Sequence, residues 1–301
     1  MGRGLITDGH PLNFTAAARQ AQAGADAVLL AGARLNWQFR FGMELAPNAR
    51  LISIDIHPVR SGGSVRPEVA ITADAGTALR RLLELARESM PEAPATAGRT
   101  EWLQHLQRER GAAAAANRRA VEACGDRLDH AGLMDVLGRI LPPDTLTVLD
   151  GNISMLAAER FMSCHSRVCR INAGSNGTIG IGVPMAIGAK LARPEHPVVA
   201  ICGDFAFGLG GFEVETAARH RVPIVVVVVD DGGTNAGTVQ RAHYPPDHDL
   251  VAGLPRNLRY DRLAESLGAQ GEWVDSKALL GPAIERALSS RLPVVVHVRV
   301  A

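Results

Sequence analysis

Two runs in the second half of the chain constrain its fold more than any other feature. "VVAICGD" (Val198–Asp204) and "IVVVVVDD" (Ile224–Asp231) are continuously apolar until each stops at an acidic residue beside glycine. A strand with one wet face alternates apolar and polar residues, whereas a strand covered on both faces does not. Runs of the second kind belong to parallel sheets with crossover helices on both sides. Between the two runs lies the helix-like "GGFEVETAAR" (Gly210–Arg219), so the stretch reads as strand, helix, strand with a carboxylate at each strand end.

The same alternation runs through the rest of the chain. "DAVLLAG" (Asp26–Gly32), "ARLISIDI" (Ala49–Ile56) and "EVAITAD" (Glu68–Asp74) read as strands, with helix-like segments at Asn13–Ala21 and Gly76–Arg87. Three strands are few for an independent domain. "ESMPEAPATAGRT" (Glu88–Thr100) has a linker's composition, and a long Ala/Arg-rich helix is expected over Glu101–Ala123. Beyond it, strands at "LTVLD", "SRVCRIN", "PVVAICGD", "VPIVVVVVDD", "GEWVD" and "LPVVVHVRVA" alternate with helix-like segments from Ile153, Gly182, Gly211, Tyr260 and Lys277. The fold class is therefore α/β with doubly wound parallel sheets, in a chain long enough for two domains.

Charge excludes one class of partner. Lys and Arg number 32 against 31 Asp and Glu, with no basic block, so nucleic acid is not an expected ligand. No apolar stretch approaches the length of a membrane span, and "MGRGLITDGHPLNF" has no apolar core of a signal peptide, so a cytoplasmic protein is expected. Cys124, Cys164, Cys169 and Cys202 show no CxxC pair and read as reduced, structural thiols.

In open α/β sheets ligands bind beyond the carboxyl ends of the strands, where Asp204 and Asp231 fall. If their strands are neighbours, the two carboxylates share a hard divalent cation whose oxygen shell is completed by phosphate. Gly203, Gly232 and Gly233 then let the backbone approach the ion, and the following helix offers N–H groups to the phosphate. The same residues also fit a plainer arrangement, in which Asp204 caps a helix and Asp230-Asp231 form a turn. "NAGSNGTIGIGVPMAIGAK" (Asn172–Lys190) is a glycine-rich strand-to-helix passage that either cradles a cofactor or permits close helix-to-strand packing.

Taken together, "GDFAFG" (Gly203–Gly208) and "VVVDDGGTNAG" (Val227–Gly237) resemble the GDG-to-NN metal signature of thiamine-diphosphate-dependent decarboxylases and lyases. "GTIGIG" (Gly177–Gly182) resembles the GTMG-type segment that precedes it, and "GARLNWQFRFG" (Gly32–Gly42) with "FEVETAARHRVPI" (Phe212–Ile224) resembles the branch of oxalyl-CoA decarboxylase and 2-hydroxyacyl-CoA lyase. The resemblance implies a partial, Rossmann-like central domain at 1–90, a linker and helix at 91–124, and a domain binding thiamine diphosphate and Mg²⁺ at 125–301. It makes Asp204 and Asp231 metal ligands together with the Gly233 carbonyl, and places Gly203, Phe205, Ala206, Gly177 and Thr178 along the cofactor. Ile179 matches the bulky residue that supports the cofactor's bent shape, and the Gly177 carbonyl would face its aminopyrimidine group. Arg34 and Asp55 resemble positions that contact a nucleotide or CoA, though for Arg34 an ordinary solvated side chain fits equally.

The chain departs from the family's pattern in places. No segment resembles the domain carrying the glutamate that protonates the cofactor, so a partner is expected to supply it, and the chain is expected to be a homo-oligomer or to have a complementing subunit. Glu213 and Glu215 lie in a helix-like stretch and read as surface residues, and the extension that covers CoA in some relatives has no counterpart after "VVVHVRVA". Asp230 and Asp231 replace the signature asparagines, Phe205 stands where a small residue is usual, and Thr234-Asn235 replaces an aliphatic-aromatic pair. Extra negative charge beside a diphosphate weakens its binding unless the cation offsets it. Three functions follow from the resemblance: part of a lyase or decarboxylase acting on acyl-CoA substrates, an inactive remnant that binds cofactor, nucleotide or protein, or an acetolactate-synthase-like part using 2-oxo acids.

Overall fold

A computed structural model gives the structure of residues 5–58, 65–89, 97–164, 170–234, 253–255 and 257–300. The chain separates into two units: Phe14–Ala115, and Ala116–Ala301 together with Met1–Asn13. Cys169, Asn235 and part of the expected linker fall outside the described residues.

The first unit contains helix α1 (Ala18–Gly24), strands β1 (Ala27–Ala31), β2 (Arg50–Asp55) and β3 (Val69–Thr72), helix α2 (Ala75–Ser89) and most of the long α3 (Ala97–Cys124). The three expected strands form one parallel sheet in the order β1-β2-β3, with Leu30 level with Ser53 and Ile54 level with Ile71. Short strands make a small core, in which Leu30, Leu35 and Leu51 cluster and Ile54 is fully buried. Asp74 sets the start of α2, its Oδ1 accepting the Thr77 N–H at 2.8 Å and the Thr77 hydroxyl at 2.9 Å. The helix buries none of its residues, leaving Leu79, Leu82 and Leu83 exposed.

The second unit runs α4 (His130–Ile140), β4 (Leu146–Asp150), α5 (Asn152–Phe161), β5 (Arg170–Ile171), α6 (Gly182–Ala192), β6 (Val198–Gly203), α7 (Asp204–Gly210), α8 (Glu213–Arg219), β7 (Val225–Asp230), α9 (Tyr260–Ser266), β8 (Gln270–Val274), α10 (Lys277–Ser289) and β9 (Val294–Arg299). Its strands are all parallel, in the order β5-β4-β6-β7-β9-β8. β7 accounts for the valine run. Val225, Val227 and Val229 enter one core with Leu133 and Leu137 of α4 and Leu280 and Ile284 of α10, while Val226 and Val228 enter the other with Val183 of α6 and Val214 of α8. Each such burial stabilises the fold by about 1.5–3 kcal/mol, and no position on the strand is left for a polar face.

Two details differ from expectation. The helix expected from Gly211 begins at Glu213, and a separate helix that was not expected precedes it, over Asp204–Gly210. Where they part, Gly210 lies against the Gly180 carbonyl and Gly211 against Phe207, closer than any Cβ allows. Cys124 and Cys202 are buried free thiols, whereas Cys164 is disulfide-bonded rather than reduced. Among the described residues no helix is long and apolar enough to cross a membrane.

Candidate functional site

In the second unit β4 has β5 on one side and β6 on the other, so the direction of winding reverses between β4 and β6. Loops leaving such a switch point diverge and open a crevice past the carboxyl ends of the strands. Asp150, the last residue of β4, and Asp204, directly after β6, flank this crevice. β7 lies beside β6, and its last residue, Asp230, passes straight to Asp231.

Asp204 is 1% exposed and densely hydrogen-bonded. Its Oδ1 accepts the Phe205 N–H at 2.6 Å, and its Oδ2 accepts the N–H groups of Gly232 at 2.9 Å and Gly233 at 2.8 Å. Both glycines hold positive φ, 87° and 135°, which turns their amides toward one oxygen and would strain any other residue. Burial, followed by the nearby charge of Asp231, pushes the Asp204 carboxyl up to about 7. Asp231 also lies 3.5 Å from Nε2 of His130 at the start of α4, an imidazole that burial holds below the usual histidine value.

Asp230 has different company. It is 3% exposed, and its Oδ2 meets Nε2 of His297 at 3.0 Å and accepts from Nε of Arg299 at 2.9 Å, both on β9. The two aspartates that replace the signature pair are thus divided between β9 and α4.

Sequence reasoning passed over Asp150. Its Oδ1 accepts from Gly151 at 2.8 Å and Gly180 at 3.2 Å, its Oδ2 from Gly182 at 2.7 Å, and burial raises its carboxyl. It therefore ties the glycine-rich passage to the end of β4. A Cβ on Gly182 would run into Cys202 Sγ, so this glycine serves close packing as well as the loop. Gly177, Thr178 and Ile179 are held out from the loop, and Ile179 is 39% exposed. The signal that would have found Asp150 was present: "LTVLDG" is an apolar run closed by aspartate and glycine, like the other two.

The predicted residues therefore all lie at the carboxyl edge of one sheet: Gly177, Thr178, Ile179, Asp231 and Gly233 in loops, Gly203 at the end of β6, and Asp204, Phe205 and Ala206 in the first turn of α7. Ala206 is 2% exposed and packs inward. Arg34 and Asp55 lie in the other unit, Arg34 exposed and Asp55 largely buried, with its Oδ1 accepting the His57 N–H at 2.8 Å.

For a hard cation the edge offers the second lone pair of Asp204 Oδ1, the Asp231 carboxylate and the Gly233 carbonyl. The bridge between Gly233 and Gly253 closes through Leu254 N–H to the Gly232 carbonyl and leaves the Gly233 carbonyl out. The Asp231 charge adds to burial in raising the Asp204 carboxyl, so the two carboxylates repel each other, and a divalent cation would relieve that repulsion. Among the described residues no group of three or more His, Cys, Asp or Glu side chains forms a cage by itself, and an ion held by these groups would need further oxygens from elsewhere.

The family description "Thiamine pyrophosphate enzyme, C-terminal TPP binding domain" matches residues 151–298, and "Thiamine pyrophosphate enzyme, central domain" matches residues 1–82. Relatives include 2-hydroxyacyl-CoA lyase 1 of Mus musculus, 29% identical over 96% of this chain and 51% of the relative. The acetolactate synthase large subunit IlvG of Mycobacterium tuberculosis is 31% identical over 99% of this chain and 53% of its own length. Oxalyl-CoA decarboxylase of Escherichia coli K12 is 28% identical over 99% and 52%. The chain thus spans about half the length of the curated relatives it matches. It belongs to the thiamine pyrophosphate enzyme family, of which it carries the central domain and the C-terminal, cofactor-binding domain.

Proposed function

We propose that this protein is the thiamine-diphosphate- and Mg²⁺-binding part of a carbon–carbon lyase or decarboxylase acting on 2-hydroxyacyl-CoA or oxalyl-CoA thioesters. The observation that carries the reading is the pair of strand ends at which Asp204, held by the Gly232 and Gly233 amides, shares a crevice edge with Asp231. On this reading the Asp204 and Asp231 carboxylates and the Gly233 carbonyl hold the cation, which anchors the diphosphate. Ile179 supports the bent cofactor, the Gly177 carbonyl accepts from its amino group, and Gly203, Phe205, Ala206 and Thr178 line its path. Once bound, the cofactor supplies an electron sink for the breaking C–C bond. Arg34 and Asp55 take the nucleotide part of the acyl-CoA, Arg34 through paired N–H contacts to phosphate.

The domains on this reading are 1–90, 91–124 and 125–301. On this reading the glutamate that protonates the pyrimidine lies outside the two matched domains and is supplied by a partner. The acetolactate synthase relative, at 31% identity, supports a second reading with 2-oxo acid substrates. Calorimetric titration of thiamine diphosphate, with and without Mg²⁺, into wild type and Asp204→Ala tests the cofactor site. Binding that requires Mg²⁺ and is lost in the variant is expected; Mg²⁺-independent binding, or binding indifferent to Asp204, sinks it. Turnover assays with oxalyl-CoA, a 2-hydroxyacyl-CoA and pyruvate, in the presence of a glutamate-domain partner, separate the substrate readings.

A further inference from the structure

His297 interrupts the apolar run "VVVHVRV" of β9, yet it is completely buried. A polar ring at the centre of a sheet is costly unless both nitrogens are satisfied. Here both have partners. The Tyr260 N–H, at the start of α9, donates to Nδ1 at 3.2 Å, while Nε2 lies 3.0 Å from Asp230 Oδ2. Because the backbone amide can only donate, Nδ1 is the acceptor and Nε2 carries the hydrogen given to Asp230. Asp261 Oδ1 stands farther from Nδ1, at 3.4 Å, and accepts from Arg259 Nε at 2.8 Å, while Asp261 Oδ2 accepts from Arg259 Nη2 at 2.5 Å. Three rings or ions close the surroundings: Trp273 stacks edge-on to His297 at 4.6 Å, and Arg259 and Arg299 lie over Trp273 at 4.3 and 5.2 Å.

The consequence falls on β7. Asp230 is gripped by His297 and Arg299 through its side chain, and its carbonyl accepts the Val300 N–H at 3.0 Å. The next three residues are Asp231 and the two glycines whose amides hold Asp204. We propose that His297 is a positioning residue: with Arg299 it clamps Asp230 against β9, and the clamp sets the Asp231–Gly233 turn in register with Asp204. The proposal rests on the cofactor-site reading for its effect on binding, but not for the clamp itself. It also accounts for aspartate at position 230. Its charge is matched by Arg299 and the His297 N–H on β9, away from the edge where a diphosphate would lie.

The test uses the whole chain. A glutamine side-chain amide reaches about as far as Nε2 of histidine, and an asparagine amide about as far as Nδ1, so His297→Gln keeps the donor to Asp230 and His297→Asn does not. Without any cofactor, hydrogen exchange at the Gly232 and Gly233 amides is expected to quicken at least tenfold in His297→Asn and to stay within threefold of wild type in His297→Gln. Arg299→Met removes the other donor at a part-exposed side chain, and provides the same reading if His297→Asn does not fold. ¹⁵N NMR of the imidazole near neutral pH is expected to show hydrogen on Nε2 alone. A hydrogen on Nδ1, or exchange that is unchanged in both His297→Asn and Arg299→Met, overturns the clamp. With thiamine diphosphate and Mg²⁺, His297→Asn is expected to bind at least tenfold more weakly and His297→Gln to be rescued. Exchange that responds as expected in a wild type that binds no thiamine diphosphate would instead overturn the cofactor reading and leave the clamp standing.

Discussion

Asp204 and Gly233 lie 29 residues apart in the chain and are joined by a backbone-to-carboxylate bond, 2.8 Å from the Gly233 N–H to Oδ2. The bond links the turn after β6 to the turn after β7, and the Gly232 amide doubles it. Replacing Asp204 by alanine leaves three amides without their acceptor, two of them in buried bonds. Asp204→Ala is expected to lose about 1–3 kcal/mol of stability by urea titration for each amide left dry, reduced where water enters the gap. Its Mg²⁺-dependent affinity for thiamine diphosphate is expected to fall about 100-fold or more by calorimetry, as the loss of a charged metal contact requires. Stability unchanged from wild type would show that the amides are satisfied in some other way.

The same carboxyl makes metal-free stability depend on pH. Burial and Asp231 raise it from an ordinary 3.8 to about 7, so the folded chain holds this proton more tightly than the unfolded chain does. Folding therefore takes up a proton between roughly pH 4 and pH 7, and the Asp204 contribution to stability falls as pH rises through that window. At about 1.4 kcal/mol per unit, the whole effect is at most about 4 kcal/mol. Wild-type urea midpoints from pH 4.5 to 8.5, less those of Asp204→Asn at the same pH, are expected to decline across the window and level off above pH 8. A rising difference curve contradicts the environment assigned to Asp204.

Asp150 holds the loop that carries Ile179. Asp150→Ala leaves the Gly180 and Gly182 amides without their carboxylate and is expected to cost about 2–4 kcal/mol on the scale of lost buried hydrogen bonds. Gly182→Ala, whose new methyl group collides with Cys202 Sγ, is expected to cost about 1–3 kcal/mol through overpacking. Cys202→Ala makes room for that methyl group, so the double variant is expected to recover part of the loss relative to Cys202→Ala alone. Strict additivity in this cycle would place the strain elsewhere.

Phe205 follows Asp204 directly and is half-buried, with its amide on Asp204 Oδ1. A serine keeps that amide and removes the ring from the edge where the diphosphate is proposed to lie. Phe205→Ser is expected to tighten thiamine diphosphate binding by about threefold to tenfold, a gain of roughly 1 kcal/mol from relieved crowding. Weaker binding in the serine variant would mean that the ring contacts the cofactor favourably.

Much of the fold was legible because burial on both faces leaves a plain mark on composition. The run Val225–Val229 has no polar residue, since one set of its side chains packs toward α4 and α10 and the other toward α6 and α8. The turn glycines and the aspartates after them were legible for the same local reason: a parallel strand must end in a turn, and its end is where ligands are met. The helix from Asp204 was harder to read, because "DFAFGLGG" contains three glycines that lower helix propensity.

The sequence by itself determined the alternating parallel architecture, the placing of Asp204 and Asp231 at strand ends, and the family. Tertiary structure decided which ends meet. Strand order is set by how twisted strands and their helices pack, and nothing local in the chain records that β9 enters between β7 and β8. That insertion brings His297 to Asp230 across 67 residues, while the reversal at β4 brings Asp150 to Gly182 across 32. A carboxylate at a strand end is written in one short segment; its partner is chosen by the sheet, because the hydrogen bonds that position it are made between segments and not along them.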